Sequence, residues 1–452
     1  MRQNPLKAIF DVRREELPIA ILMGLYFFLV ITSFWVLKPI KKSIFIGYYE
    51  AQNGFHLLSW QLGAAQAELL AKILNMVVAA IAVTVFTALS KRFVRQQLTV
   101  IFSVFFIACY FAYSLLLPDD FTRPGHGVTV WTFYLFGDLY STLMVATFFA
   151  FLNDSVTSES AKRLYGVIGF GGVAGGAFVS TTVRTFIKSV SNAGWMLILV
   201  AVALVIAGIA IAAGRFIDRI NRINRILSQS EIRNPKSEIR NPQSGNPALE
   251  GGRLVFSSGY LLAIVGIVGM YEMVSTIMDF QFTSTVVHYM QGAAIGEHFS
   301  TVFAITNWMA MFVQLLLTSF VMRRLGVGVA LLFLPVAALL GSAGFLVAPI
   351  LLFGSALNTA DNGFSYSINQ SAKEALYVPT TKEEKYKAKA FIDMFVQRFA
   401  KALAVVLSLG ITSVFRDFSS IRWLSALTVV ILVGWLATVR YAGKRFEALT
   451  SQ

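Results

Sequence analysis

Apolar runs of about 20 residues, the length that crosses a bilayer as a helix, alternate with short polar stretches along the whole chain. They begin near Leu17, Ala64, Leu98, Thr129, Leu164 and Trp195, and again near Ser258, Glu297, Leu325, Pro349, Ala390 and Ser420. The pattern predicts an all-α membrane protein of twelve transmembrane helices. It divides into a six-helix half over residues 1–214, a connection over 215–253 and a second six-helix half over 254–452. In the connection, Arg215, Arg219, Arg222 and Arg225 interleave with Ile217, Ile220, Ile223 and Ile226, which predicts an amphipathic helix on an anionic membrane surface. The segment SEIRNP at 230–235 then repeats at 237–242, the mark of a low-complexity linker.

Composition agrees with the pattern. The chain is 56% hydrophobic and 14% charged, with mean hydropathy +0.67, more apolar surface than a soluble domain can bury. The net charge of +14 comes from basic residues placed mostly between apolar runs, so it reads as a topology signal and not as a nucleic-acid surface. With the N-terminus inside, 27 of the 38 Lys and Arg fall in cytoplasmic segments and eight on the opposite side, so both termini are expected in the cytoplasm. Six spans, a long basic connection and six more spans is the plan of a major-facilitator-type transporter working by alternating access.

Charges within the spans carry the functional signal, because an ionised group at bilayer depth persists only beside a partner or a cavity. LKPIKKS, read as the outer end of span one, carries Lys38, Lys41 and Lys42 on one helix face. Glu68 and Lys72 in span two form an i,i+4 pair expected to neutralise itself. Span four carries Asp138, span seven Glu272 and Asp279, span ten Asp361, and span eleven Asp393, Arg398 and Lys401, the last two on one face. Counting Arg184 as well, seven cations face six acids. That near balance suits an anion exchanger or a proton-coupled carrier of another solute, and the clustering of lysines favours the anion.

The two halves echo each other. TSESAKRLYG from Thr157 and TKEEKYKAKA from Thr381 place Lys162 and Arg163 of one loop against Lys387 and Lys389 of the other, as candidate gating residues. Tyr26, Trp35, Tyr140 and Tyr271 are candidates for an adenine clamp, with packing as the competing role. Gly169, Gly172 and Gly176 predict close helix packing, and no Walker lysine follows them. The four histidines show no metal-ligand spacing, and the only cysteine, Cys109, has no partner for an intramolecular disulfide. No catalytic constellation emerges, so neither an enzyme nor a cofactor is expected.

FWVLKPIKKSIFIG, FYLFGDLYSTLMVATFFAFLND, AKRLYGVIGFGG and above all INQSAKEALYVPTTKEEKYKAKAFIDMFVQRFAKALA resemble the nucleotide translocases of plastids and intracellular bacteria, which exchange ATP and ADP. The resemblance implies ATP/ADP-type antiport in a bacterial plasma membrane by a monomer that takes a nucleotide and no nucleic acid. It puts the family's substrate-binding lysine of span one on Lys41 and the basic position of span eleven on Lys401. Asp138 stands at the family's span-four glutamate, and Asp279 is the candidate for its span-seven carboxylate. Lys42 stands where the family has an acid, while Lys387 and Lys389 match the lysines that open the last block. The expected substrate-binding set is therefore Lys38, Lys41, Lys42, Asp138, Asp279, Asp361, Arg398 and Lys401.

Overall fold

The computed structural model describes residues 13, 16–57, 60–117, 119–120, 124–155, 158–228, 247–381, 384, 388–389, 391–415 and 417–450. Helices account for nearly all of them. Ten helical segments among the described residues are long and apolar enough to cross a membrane, two short of the twelve expected. The other two expected spans fall on the glycine-rich helix Ser158–Phe186 and on a helix from Leu351 that a π-turn interrupts.

The chain divides into two compact units, Met1–Ile44 with Leu74–Gln243, and Phe45–Ile73 with Ser244–Gln452. The first unit holds α1 (Leu17–Ala51) up to Ile44, α2 (Ala64–Ser90) from Leu74, α3 (Arg95–Leu116), α4 (Gly127–Ser155), α5 (Ser158–Phe186) and α6 (Asn192–Ser228). Its core is aromatic: Tyr26 meets Phe148 edge-on at 5.1 Å, Phe106 meets Tyr140 at 4.9 Å, and Tyr110 meets Phe136 at 5.3 Å. Close packing does occur on α5, through Gly171, Gly172 and Gly175. A Cβ at Gly171 or Gly175 would strike the backbone carbonyls of Gly24 or Phe28 on α1, whereas one at Gly169 would meet nothing. The stretch from Arg215 is helical, as its periodicity predicts, but it is the unbroken end of α6 and not a separate surface helix. Arg95 anchors it there through Asp218 at 3.1 Å. The repeated linker, 230–242, lies outside the described residues.

The second unit begins with the end of α1, an antiparallel hairpin of β1 (Phe55–Leu57) and β2 (Trp60–Leu62), and the start of α2. Asn53 and Gly54, both at positive φ, turn the chain into that hairpin. There follow α7 (Pro247–Ser257), α8 (Gly259–Tyr289), α9 (Ala293–Phe312), α10 (Ser319–Arg324), α11 (Gly326–Ala330), α12 (Phe333–Val347), α13 (Leu351–Phe364), α14 (Gln370–Ala375), α15 (Gln397–Val414) and α16 (Arg422–Thr450). Helix α8 is the hub, packed against α13, α15 and α16 around Ile264, Ile277, Phe280, Leu357 and Trp435. Its residues are apolar nearly all round, which is what a helix enclosed by others requires.

Candidate functional site

Helix α1 runs ten residues beyond Lys41, to Ala51, so LKPIKKS is not the end of the first span. Pro39 removes one backbone donor without ending the helix. The lysines therefore lie within the helix, and Lys41 and Lys42 are only 6% and 4% exposed. Lys41 donates to Oδ1 of Asp138 on α4, and the Asn75 amide from α2 donates to Oδ2. Gly137 makes room for this pairing: a Cβ there would lie 2.5 Å from Cδ of Lys41. The Lys41 ammonium also sits 4.5 Å from the ring centre of Tyr134, one turn before Asp138. Lys38, one turn earlier on α1, rests over Trp35 at 4.6 Å. Gly137→Ala is expected to push the Lys41 stem from α4 and weaken substrate binding about tenfold, the loss of one charge-assisted contact. Equilibrium binding to the purified variant checks this.

In the second unit the charges gather on α8. Glu272, Ser275 and Asp279 stand at i, i+3 and i+7, a spacing that shares one helix face. Lys401 of α15 reaches Glu272 at 3.3 Å, with Glu272 buried and Lys401 half-exposed. Ser275 donates to the buried Asp361 of α13 at 2.6 Å. Asp279 accepts from Lys72 on one oxygen and from the Asn358 amide on the other, at 3.3 Å. Arg398 is half-buried, one turn before Lys401. Two π-turns border this constellation, Ser365–Asn369 just after Asp361 and Ile392–Val396 just before Arg398. Such turns reset the helical phase and recur at functional sites.

Of the candidate gating residues, Lys389 pairs with Glu374 at 2.6 Å and lies 5.7 Å from the ring centre of Tyr377. Burial raises the Tyr377 phenol above its ordinary range, and Asp393 and Glu374 add to that. Lys162 and Arg163 lie in α5, while Lys387 falls outside the described residues. The aromatic candidates divide. Tyr26 and Tyr140 are fully buried packing residues, donating to Thr99 and to the Val30 carbonyl. Trp35 and Tyr271 instead meet lysines, Lys38 and Lys373.

The chain matches the family described as TLC ATP/ADP transporter over residues 126–351 and 346–446, well over half its length. It belongs to the TLC ATP/ADP transporter family. The ADP,ATP carrier protein 1 of Arabidopsis thaliana chloroplasts is 24% identical to it, over 74% of this chain and 58% of that protein. The chain thus spans well under two thirds of the plant carriers it matches. The ADP,ATP carrier protein 1 of Chlamydia pneumoniae is 22% identical, over 97% of this chain and 93% of that protein. Among solved structures, the peptide transporter POT superposes with a TM-score of 0.62 at 12% identity, covering 98% of this chain and 99% of that one. That likeness shows the fold, which is of the major-facilitator type, and the chain is a multi-pass membrane protein.

Within this family frame, the structure adds partners that sequence reasoning missed. Glu272 was visible as an intramembrane acid, yet its pairing with Lys401 depends on residues 129 positions apart. Asn75, Ser275 and Asn358 are neutral and gave no charge signal. Lys72, assigned to Glu68 one turn away, is joined to Asp279, 207 positions along the chain.

Proposed function

We propose that this transporter exchanges adenine nucleotides of the ATP/ADP type across a bacterial plasma membrane by alternating access. The observation that carries the reading is that Lys41 and Lys401, each on an apolar helix, are held by the carboxylates Asp138 and Glu272. Family membership supports a nucleotide as substrate, and the names of the plant and chlamydial relatives support exchange of ADP for ATP. The distribution of Lys and Arg supports a cytoplasmic position for both termini. A monomer provides the whole set of charges.

The chemistry follows from the pairing. Lysine ammonium groups on flexible stems suit a phosphate chain, and charge-assisted contacts to phosphate are the strong ones. In the empty carrier the carboxylates hold these ammonium groups. Nucleotide then replaces carboxylate as the partner of Lys41 and Lys401, with Lys38, Lys42 and Arg398 adding positive charge and Asp279 and Asp361 taking part in the same exchange of partners. Breaking a buried pair without replacing one partner costs about 3–5 kcal/mol. Reorientation is therefore fast only with substrate or counter-ion in place, which couples import to export. Lys162, Arg163, Lys387 and Lys389 act at the entrance, where Lys389 is already tied to Glu374.

Proteoliposomes loaded with ADP test the reading. Labelled ATP is expected to enter loaded vesicles and not empty ones. Uptake into empty vesicles driven by a pH gradient would establish the proton-coupled carrier in its place.

A further inference from the structure

Asp138 and Asp279 are held in the same way. In each case a lysine ammonium takes one carboxylate oxygen and an asparagine amide takes the other: Lys41 and Asn75 on Asp138, Lys72 and Asn358 on Asp279. The first of these lysines is the proposed phosphate ligand of its unit. The second lies on α2 and was assigned only a local structural pairing by its spacing from Glu68.

Exposure distinguishes the second pair from a buried structural strut. The side chains of Lys72 and Asp279 are 24% and 25% exposed, so a ligand can reach both partners without opening the core. Position adds a further constraint. Asp279 lies seven residues beyond Glu272 on one face of α8, about 10.5 Å along the axis at 1.5 Å per residue. The carboxylate that holds Lys72 and the carboxylate that holds Lys401 are thus two stations on one helix. Flexible lysine stems can close from such stations onto one extended polyanion, and a longer phosphate chain engages both more fully than a short one.

Resting on the nucleotide reading above, we propose that Lys72 is a further phosphate-binding residue that discriminates by phosphate number. Asp279, oriented by the Asn358 amide, holds it in place in the empty transporter, and the distal phosphates of a nucleoside triphosphate displace Asp279 from it. A purely structural pair would stabilise the helices equally in every substrate state. A phosphate ligand would not.

The test compares the parent with Lys72→Gln, Lys72→Arg and the double variant Lys72→Gln/Asp279→Asn, each reconstituted in proteoliposomes and assayed for binding of AMP, ADP and ATP. Lys72→Gln is expected to weaken ATP binding about ten- to a hundredfold and AMP binding far less, with Lys72→Arg recovering most of the loss. The double variant removes both charges while keeping the shapes, so a structural role predicts recovery of parental ATP affinity. The proposal predicts none. Parental ATP affinity in Lys72→Gln or in the double variant overturns it. A parent that binds and exchanges no nucleotide overturns the functional reading as well, a separate outcome. One measurement needs no variant: amine acylation of Lys72 in the parent, read by mass spectrometry, is expected to slow with saturating ATP and not with AMP. Equal rates with the two ligands also overturn the proposal.

Discussion

Lys41→Gln is expected to raise the nucleotide concentration needed for half-maximal exchange by about ten- to a hundredfold. A hydrogen bond to a charged group is worth about 1.5–3 kcal/mol, and each decade of affinity is about 1.4 kcal/mol. Lys401→Gln is expected to lose as much affinity, with one added consequence. Glu272 is 6% exposed, and without the Lys401 cation its carboxylate is left in an apolar helix bundle. The Lys401→Gln variant should therefore melt below the parent, and Lys401→Gln/Glu272→Gln should recover the melting temperature without recovering exchange. Saturation curves for ATP uptake and melting of the purified variants check both statements. Parental affinity in both single lysine variants, with failure confined to carboxylate variants and an altered pH profile, would replace phosphate binding with proton coupling.

The membrane class and most spans were legible because burial in hydrocarbon imposes a run length that any eye can count. What escaped were features set by neighbours distant in sequence. Helix α1 looked finished at LKPIKKS because three lysines and a proline normally close a span. It continues through IFIGYYEA because Asp138 and Asn75 make the depth of Lys41 tolerable. The hairpin at 55–62 is only three residues per strand and too short for alternation to stand out. Span ten was counted from Pro349, but the count did not show that its helix is interrupted by a π-turn or that Asn358 and Asp361 on it serve Asp279 and Ser275 of α8. Charge marked Lys41, Asp138, Glu272 and Lys401 in the sequence. Only the fold says which distant carboxylate reaches which lysine, as Asp279 reaches Lys72 across 207 positions.

Asp138→Asn should separate binding from turnover. In the substrate-bound state the phosphates satisfy Lys41, so the variant loses no nucleotide affinity. The empty state is different, since Asp138 is there the anion beside a lysine that is 6% exposed, and asparagine supplies no charge. Losing one partner of such a pair costs about 3–5 kcal/mol, which falls on the state that must form between release and capture. The maximal exchange rate is therefore expected to fall by a hundredfold or more, while equilibrium ATP binding is expected to tighten and not weaken, because the cost falls on the empty state alone. Asp138→Glu keeps the charge and should retain most of the turnover. The double variant Lys41→Gln/Asp138→Asn, with both charges gone, should fold as well as the parent and still fail to bind ATP tightly. Exchange rates and equilibrium binding measured on the same preparations decide it. A variant Asp138→Asn that turns over at the parental rate but binds ATP weakly would mean that Asp138 positions substrate, and that the empty transporter does not depend on it to hold Lys41.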